Sequence, residues 1–323
     1  MQFNRYLTYS KSSSSFRWTG WILKGALIAA SFYYVVDKTV AEQFVLEEIA
    51  LLLNTKTFAL VFALLMLLMG LNWMVEAQKW QILARGVQRI SFASALKAIL
   101  AGVSMDAVLP FGTGAVSSKL LSLESDGKKQ LLAPVIIAQG IQSFWTIAFG
   151  FVGVSQLASY TNVFSIYGDL HTVIFVSLIG IIVFIVWWIF WPETRKYLLH
   201  SIKSISLRIW GVITLLSLVR YIIFFVQLMV ISVYLAPEIP IFVLTGCITW
   251  MFFAKTIIPK PGHLGALGIR GASVVFFLNL AGYTASEVVL ATLILWFINL
   301  AIPSLLGLYY IKNLTFKNAI IND

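Results

Sequence analysis

From Ile241 to Ala281 the chain is apolar except at its centre, which reads IIPKPGHLGALGIRGA from Ile257 to Ala272. The run is roughly twice the 20 residues that cross a bilayer, and that centre decides how it folds. Pro259 and Pro261 remove backbone donors, while Gly262 and Gly265 relax the chain. A helix entering from Ile241 must therefore break near Ile258, and a second must start near Leu264. Broken backbone in hydrocarbon leaves N–H and C=O groups unpaired, so it survives only where protein covers it or where it lines a wet cavity. Lys255, Lys260, His263 and Arg270 surround the break with no acid among them. Four groups that are or can become cationic, beside a helix N-terminus, suit a phosphate. Lys260 and Arg270 are the expected contacts, and arginine can make them bidentately. In the alternative reading, Lys260 and His263 face outer-leaflet headgroups from the tip of a shallow loop.

With 60% hydrophobic and 11% charged residues, the chain is too apolar for a soluble domain. The expected fold is an all-α polytopic membrane protein of six full spans and two re-entrant helical hairpins. A polar cytoplasmic arm, 1–17, precedes the first membrane half, 18–154, whose spans are Trp18–Val36, Thr57–Val75 and Leu131–Val154. The second half, 172–311, holds Thr172–Trp191, Ile209–Leu235 and Glu287–Ile311, and 312–323 is a cytoplasmic tail. The hairpins are 92–121, interrupted by LPFGTG from Leu109 to Gly114, and 241–281.

If 92–121 dips in and returns, Lys119, Lys128 and Lys129 stay on the cytoplasmic side, as the positive-inside rule favours. Every segment then placed inside is net positive and every outer loop net negative, which puts both termini inside a bacterial cytoplasmic membrane. Trp18, Trp21, Trp73, Trp80, Trp187, Trp188, Trp191 and Trp210 fall near the inner face, where an aromatic belt would sit. Each half reads span, span, hairpin, span from opposite faces. This is the inverted-repeat layout of secondary transporters.

Asn72, Glu76, Lys79 and Trp80 share one helical face. They read either as an interfacial pair with a tryptophan anchor or as a support for the first hairpin. Asp106 is the acid placed deep in the membrane and Arg220 the deep base outside the second hairpin, so the two are expected to meet or to face water. A structural ion pair and a proton-coupling site both fit them. Gln139 and Gln142 offer hydrogen bonds to a ligand or between helices.

A net charge of +10 fits cytoplasmic loops better than nucleic acid. Cys247 is the only cysteine, which excludes an internal disulfide or thiolate cluster. His171, His200 and His263 are far apart, and no aspartate-rich motif accompanies them. No enzyme activity, metal or cofactor is expected.

NWMVEAQKW from Asn72 to Trp80, LPFGTG from Leu109 to Gly114 and PGHLGALGIR from Pro261 to Arg270 resemble the signatures of the lysylphosphatidylglycerol synthase transmembrane family. That family includes the flippase-like domain of the multiple peptide resistance factor and stand-alone proteins. The matching positions are Asn72, Glu76, Lys79 and Trp80, then Pro110, Gly112 and Gly114, and finally Pro261, Gly262, Gly265, Gly268 and Arg270. Relatives carry an acid soon after the first break and an arginine further on, where this chain has Ala115 and Lys119. They carry glutamate after the last arginine, where this chain has Gly271.

The resemblance implies a membrane domain with paired re-entrant helices that handles lipid, here without the soluble aminoacyl-transferase domain. The expected function is to bind an anionic phospholipid, aminoacyl-lipid or polyprenyl-phosphate conjugate and move it between leaflets. Lys255, Lys260, His263, Arg270, Asp106, Arg220, Lys119, Gln139 and Gln142 are the candidate lipid contacts. A non-transporting scaffold of an envelope-biosynthesis complex is the alternative. Compatible partners are membrane lipid, a second copy of the chain and a separately encoded lipid-modifying enzyme.

Overall fold

The computed structural model describes residues 55–109, 112–160, 202–258 and 262–312, together with Tyr33, Asp37, Lys196 and Leu314. Helices α1 (Lys56–Ala84), α2 (Phe92–Val108) and α3 (Thr113–Leu121) lead through a 3-10 turn, Asp126–Leu131, into α4 (Leu132–Tyr160). Then come α5 (Leu207–Leu235), α6 (Ile241–Ile257), α7 (Gly262–Leu280) and α8 (Ser286–Trp296), a π turn at Phe297–Ala301, and α9 (Ile302–Ile311). All regular structure among the described residues is helical.

Among the described residues, four helical stretches are long and apolar enough to cross a membrane: Lys56–Ala84, Leu132–Ser155, Leu207–Leu235 and Ser286–Ile311. They correspond to four of the six expected spans, one of which starts a residue later than expected, at Leu132. Trp18–Val36 and Thr172–Trp191 lie outside the described residues. On α1 the exposed side chains Leu60, Leu64, Leu67, Leu71 and Met74 form one stripe at helical spacing. An apolar stripe of that length facing outward is the surface lipid covers. The protein is a membrane protein.

Thr55 starts α1 by accepting a hydrogen bond from the Phe58 amide at 3.0 Å, an N-cap that satisfies one orphan donor. The helix runs nine residues past Val75, where the sequence placed the end of the span. The charges of Glu76 and Lys79 do not stop it, because both side chains are buried against protein.

The tryptophan belt needs correcting where it can be seen. Trp80 is 0% exposed, and Trp73 and Trp210 are also buried. Trp210 Nε1 donates to the Ile202 carbonyl at 3.1 Å, and the Trp73 ring lies under an arginine. An indole has an apolar body and a face that attracts cations, so it suits this interior as well as an interface.

Both interrupted segments are helix pairs. Gly112 begins α3 at φ 72°, a left-handed conformation that glycine adopts without steric cost. It brings no side-chain cap. Asp106 of α2 supplies one instead, its Oδ1 accepting from the Ala115 amide at 3.0 Å at the positive end of α3. A Cβ on Gly114 would meet the Asp106 amide nitrogen at 2.5 Å, so only glycine lets the two arms cross this closely.

The far ends of the pair are tied as well. The Gln88 side-chain carbonyl, in the loop before α2, accepts from the amides of Glu124 and Ser125, in the loop after α3, at 3.0 and 3.2 Å. The nine residues of α3 rise only about 13 Å, too little to cross hydrocarbon about 30 Å thick. In the second pair, α6 ends at Ile257 with Ile258 as its C-cap, as the prolines require, and α7 starts at Gly262, two residues earlier than expected.

Each pair is clasped by a helix from the other half of the chain. Gly307 of α9 backs onto the Leu100 carbonyl and Ser104 of α2, and Ser104 donates to the Ser304 carbonyl. Gly150 and Gly153 of α4 back onto Phe253 and onto Thr249 and Gly246 of α6. Small residues let helices approach closely where the surrounding lipid supplies no hydrophobic drive. Helix α1 packs on α5, and α2 also touches α7.

A polar bridge adds to the α1–α5 contact. Gln227 of α5 donates to the Leu65 carbonyl at 3.0 Å and accepts from Asn299 at 3.2 Å. Asn299 sits in the π turn, four residues before Pro303. Proline has no N–H to bond the carbonyl one turn back and its ring clashes there, so the helix widens locally.

Candidate functional site

Four charged side chains from three helices converge in the interior. Glu76 of α1 accepts from Lys119 of α3 at 2.6 Å through Oε1 and from Arg220 of α5 at 2.8 Å through Oε2. Lys79, one turn along α1, lies 3.2 Å from Oε2. Arg220 Nε also donates to Asn72 Oδ1 at 3.0 Å. Asn72, Glu76, Lys79, Lys119 and Arg220 are all buried.

Helical spacing explains how α1 contributes. Asn72, Glu76 and Lys79 recur at about one turn and line the face opposite the lipid stripe. Gln142 of α4 extends the network, accepting from Lys79 at 3.4 Å and donating to the Ser217 carbonyl of α5 at 3.1 Å. The Arg220 guanidinium lies 5.1 Å from the Trp73 ring and 5.6 Å from the Phe224 ring, where the ring faces favour positive charge.

Taking charges out of water is costly unless they are closely paired. Here one carboxylate stands among two ammonium groups and a guanidinium, so positive charge exceeds negative by two. The carboxylate holds α3 to α1 and α5, and through α3 it holds the first interrupted pair.

Asp106 and Arg220 do not meet. Arg220 pairs with Glu76, and Asp106, half-buried, caps α3. The physical reason is local: α3 begins with a glycine and draws the nearest acid to its amide end. Lys119, Arg220 and Gln142 belong to the charged network, whereas Gln139 is half-buried elsewhere on α4.

Around the second break, Lys255 sits in the last turn of α6 with its ammonium 5.2 Å from the Phe252 ring. Arg270 is buried in α7, and its Nε has no hydrogen-bond partner. Gly265 and Gly268 are buried in α7, and Gly262 is its first residue. Lys260, Pro110 and Pro261 lie outside the described residues, as does the side chain of His263.

Sequence reasoning did not single out Trp73 as a cation support, Ser217 as a network member or the Gln227–Asn299 bridge. A polar residue in an apolar span signals that it faces protein, which would have found Gln227 and Asn299. Nothing in the sequence marks the Ser217 carbonyl. Among the described residues, no group of three histidine, cysteine or acidic side chains is placed to hold a metal.

No curated protein and no solved structure matches the chain. The family model described as the lysylphosphatidylglycerol synthase TM region matches residues 21–307. That stretch takes in both interrupted pairs and every member of the charged network, and the chain belongs to this family.

Proposed function

We propose that the protein is a flippase-like carrier that binds a lipid by its phosphate and moves the headgroup between leaflets. The observation that carries this reading is Arg270. It is a buried arginine whose Nε has no hydrogen-bond partner, on the helix that follows the second break. A buried cation without a bonded partner is unstable in an apolar surround unless a ligand compensates it. Lys255, Lys260 and His263 complete the phosphate contacts at that break. Asp106, Lys119, Gln139 and Gln142 from the first half, with Arg220 from the second, serve the lipid's path.

In this reading the two interrupted pairs dip from opposite leaflets in an inverted repeat, with both termini cytoplasmic. The reciprocal clasp of α9 on α2 and α4 on α6 supports it, because two inverted halves would each grip the other's hairpin in the same way. Alternating access is then a rocking of one half against the other around the lipid.

The test is a leaflet-accessibility assay on reconstituted protein. Lys260→Ala combined with Arg270→Ala abolishes headgroup movement while the protein still folds, and unchanged movement refutes the site. Absence of movement in the unmutated protein refutes the carrier and leaves a scaffold.

A further inference from the structure

The charged network around Glu76 has a deficit of one kind only. Lys79, Lys119 and Arg220 face a single carboxylate, Glu76. Around them, residues that touch the network carry buried donors with no partner: Asn72 Nδ2, Trp73 Nε1 and the Ser217 hydroxyl. Asn72 is bonded to Arg220, Trp73 lies under it, and the Ser217 carbonyl holds Gln142. The network thus lacks negative charge, and each of its spare groups can donate.

We propose that this network is an anion site, separate from the cationic break at Arg270, that takes a phosphate group. A phosphate oxygen accepts several hydrogen bonds and carries the charge that Glu76 leaves unbalanced. Lysine and arginine bind such oxygens through short, charge-assisted bonds. The same excess of positive charge repels a headgroup that bears an ammonium. The site therefore selects phosphates of net negative charge, whether on a lipid or free in solution. Because Lys119 anchors α3 through Glu76, an arriving phosphate competes with the carboxylate for that ammonium. Occupancy of the site and the position of the first interrupted pair are coupled.

This inference deepens the carrier reading by naming a headgroup class, yet it concerns binding alone and can be tested without transport. Thermal unfolding of the full-length protein in neutral detergent is measured with inorganic phosphate, with short-chain phosphatidylglycerol and with short-chain phosphatidylcholine. Wild type is stabilised by the anionic lipid and much less by the zwitterionic one. A matching shift with inorganic phosphate identifies the phosphate group alone as the ligand; a shift with the lipid only identifies the lipid.

The decisive variant is Asn72→Asp. It keeps the shape of the side chain and the oxygen that accepts from Arg220, but it removes one spare donor and one unit of excess charge. It unfolds at the same or a higher temperature than wild type without ligand, and it binds the anion about tenfold more weakly. Lys79→Gln, which leaves Glu76 with two partners, gives the same weakening.

Equal shifts with both lipids, no shift with any probe, or full anion binding by Asn72→Asp would overturn the proposal. Anion binding without lipid movement in the leaflet assay removes the carrier and leaves this site standing. Movement without anion binding does the reverse.

Discussion

Lys119 Nζ lies 2.6 Å from Glu76 Oε1, with the two side chains only 6% and 5% exposed. That contact fastens the short returning arm α3 to the long helix α1. Removing the carboxylate strands three buried cations, which in comparable buried pairs costs about 3–5 kcal/mol. Glu76→Gln is expected to lower thermal stability sharply in detergent. Lys119→Met in the same background recovers part of the loss, and a double-mutant cycle measures that coupling.

The clasp between halves depends on glycine. A Cβ on Gly307 has no room against the Leu100 carbonyl, and one on Gly153 runs into Thr249 and Gly246, whereas Gly140 has nothing within 4 Å. Gly307→Ala and Gly153→Ala are expected to destabilise by about 1–3 kcal/mol through forced helix separation. Gly140→Ala, in the interior of α4, is expected to stabilise by about 0.5–1 kcal/mol. Chemical or thermal unfolding of the three variants in one detergent checks the order.

Gln227 joins α1 to the π turn through the Leu65 carbonyl and Asn299. Gln227→Leu leaves the Asn299 side-chain amide without that acceptor and is expected to cost about 1–2 kcal/mol, near the upper end for polar contacts between membrane helices. Asn299→Leu paired with Gln227→Leu costs less than the sum of the two single changes, because neither then leaves a buried partner behind.

The two faces of α1 face different surroundings. Cys247 is buried, so a cysteine introduced elsewhere carries a spin label with little background. A label at Leu64→Cys, on the exposed stripe, is expected to be relaxed by oxygen dissolved in lipid and not by a water-soluble nickel complex. A label at Leu60→Cys or Leu67→Cys behaves alike, being on the same stripe.

The breaks were legible because proline and glycine act through the backbone, whatever surrounds them: the helix ending at Ile257 and the glycine at Gly112 follow from local chemistry. The face shared by Asn72, Glu76 and Lys79 was legible from helical spacing. Which helix that face meets was not. Arg220 had two acids to choose from, and spacing along α5 says nothing about whether Glu76 or Asp106 stands across from it. The choice is settled by α3, whose glycine start claims Asp106 as a cap. Trp73 and Trp80 read as interfacial anchors, yet both pack inside the protein, for a related reason: composition gives an indole's preferences but not the neighbour that satisfies them.

The measurement closest to the centre of the account is the sidedness of two loops that follow the interrupted pairs. Glu124, after α3, and Thr284, after α7, are both exposed. With Glu124→Cys and Thr284→Cys made singly, a membrane-impermeant thiol reagent applied to intact cells should reach Thr284→Cys and spare Glu124→Cys until the membrane is opened. Labelling of both from the same side would contradict a pair of hairpins entering from opposite leaflets, and with it the carrier.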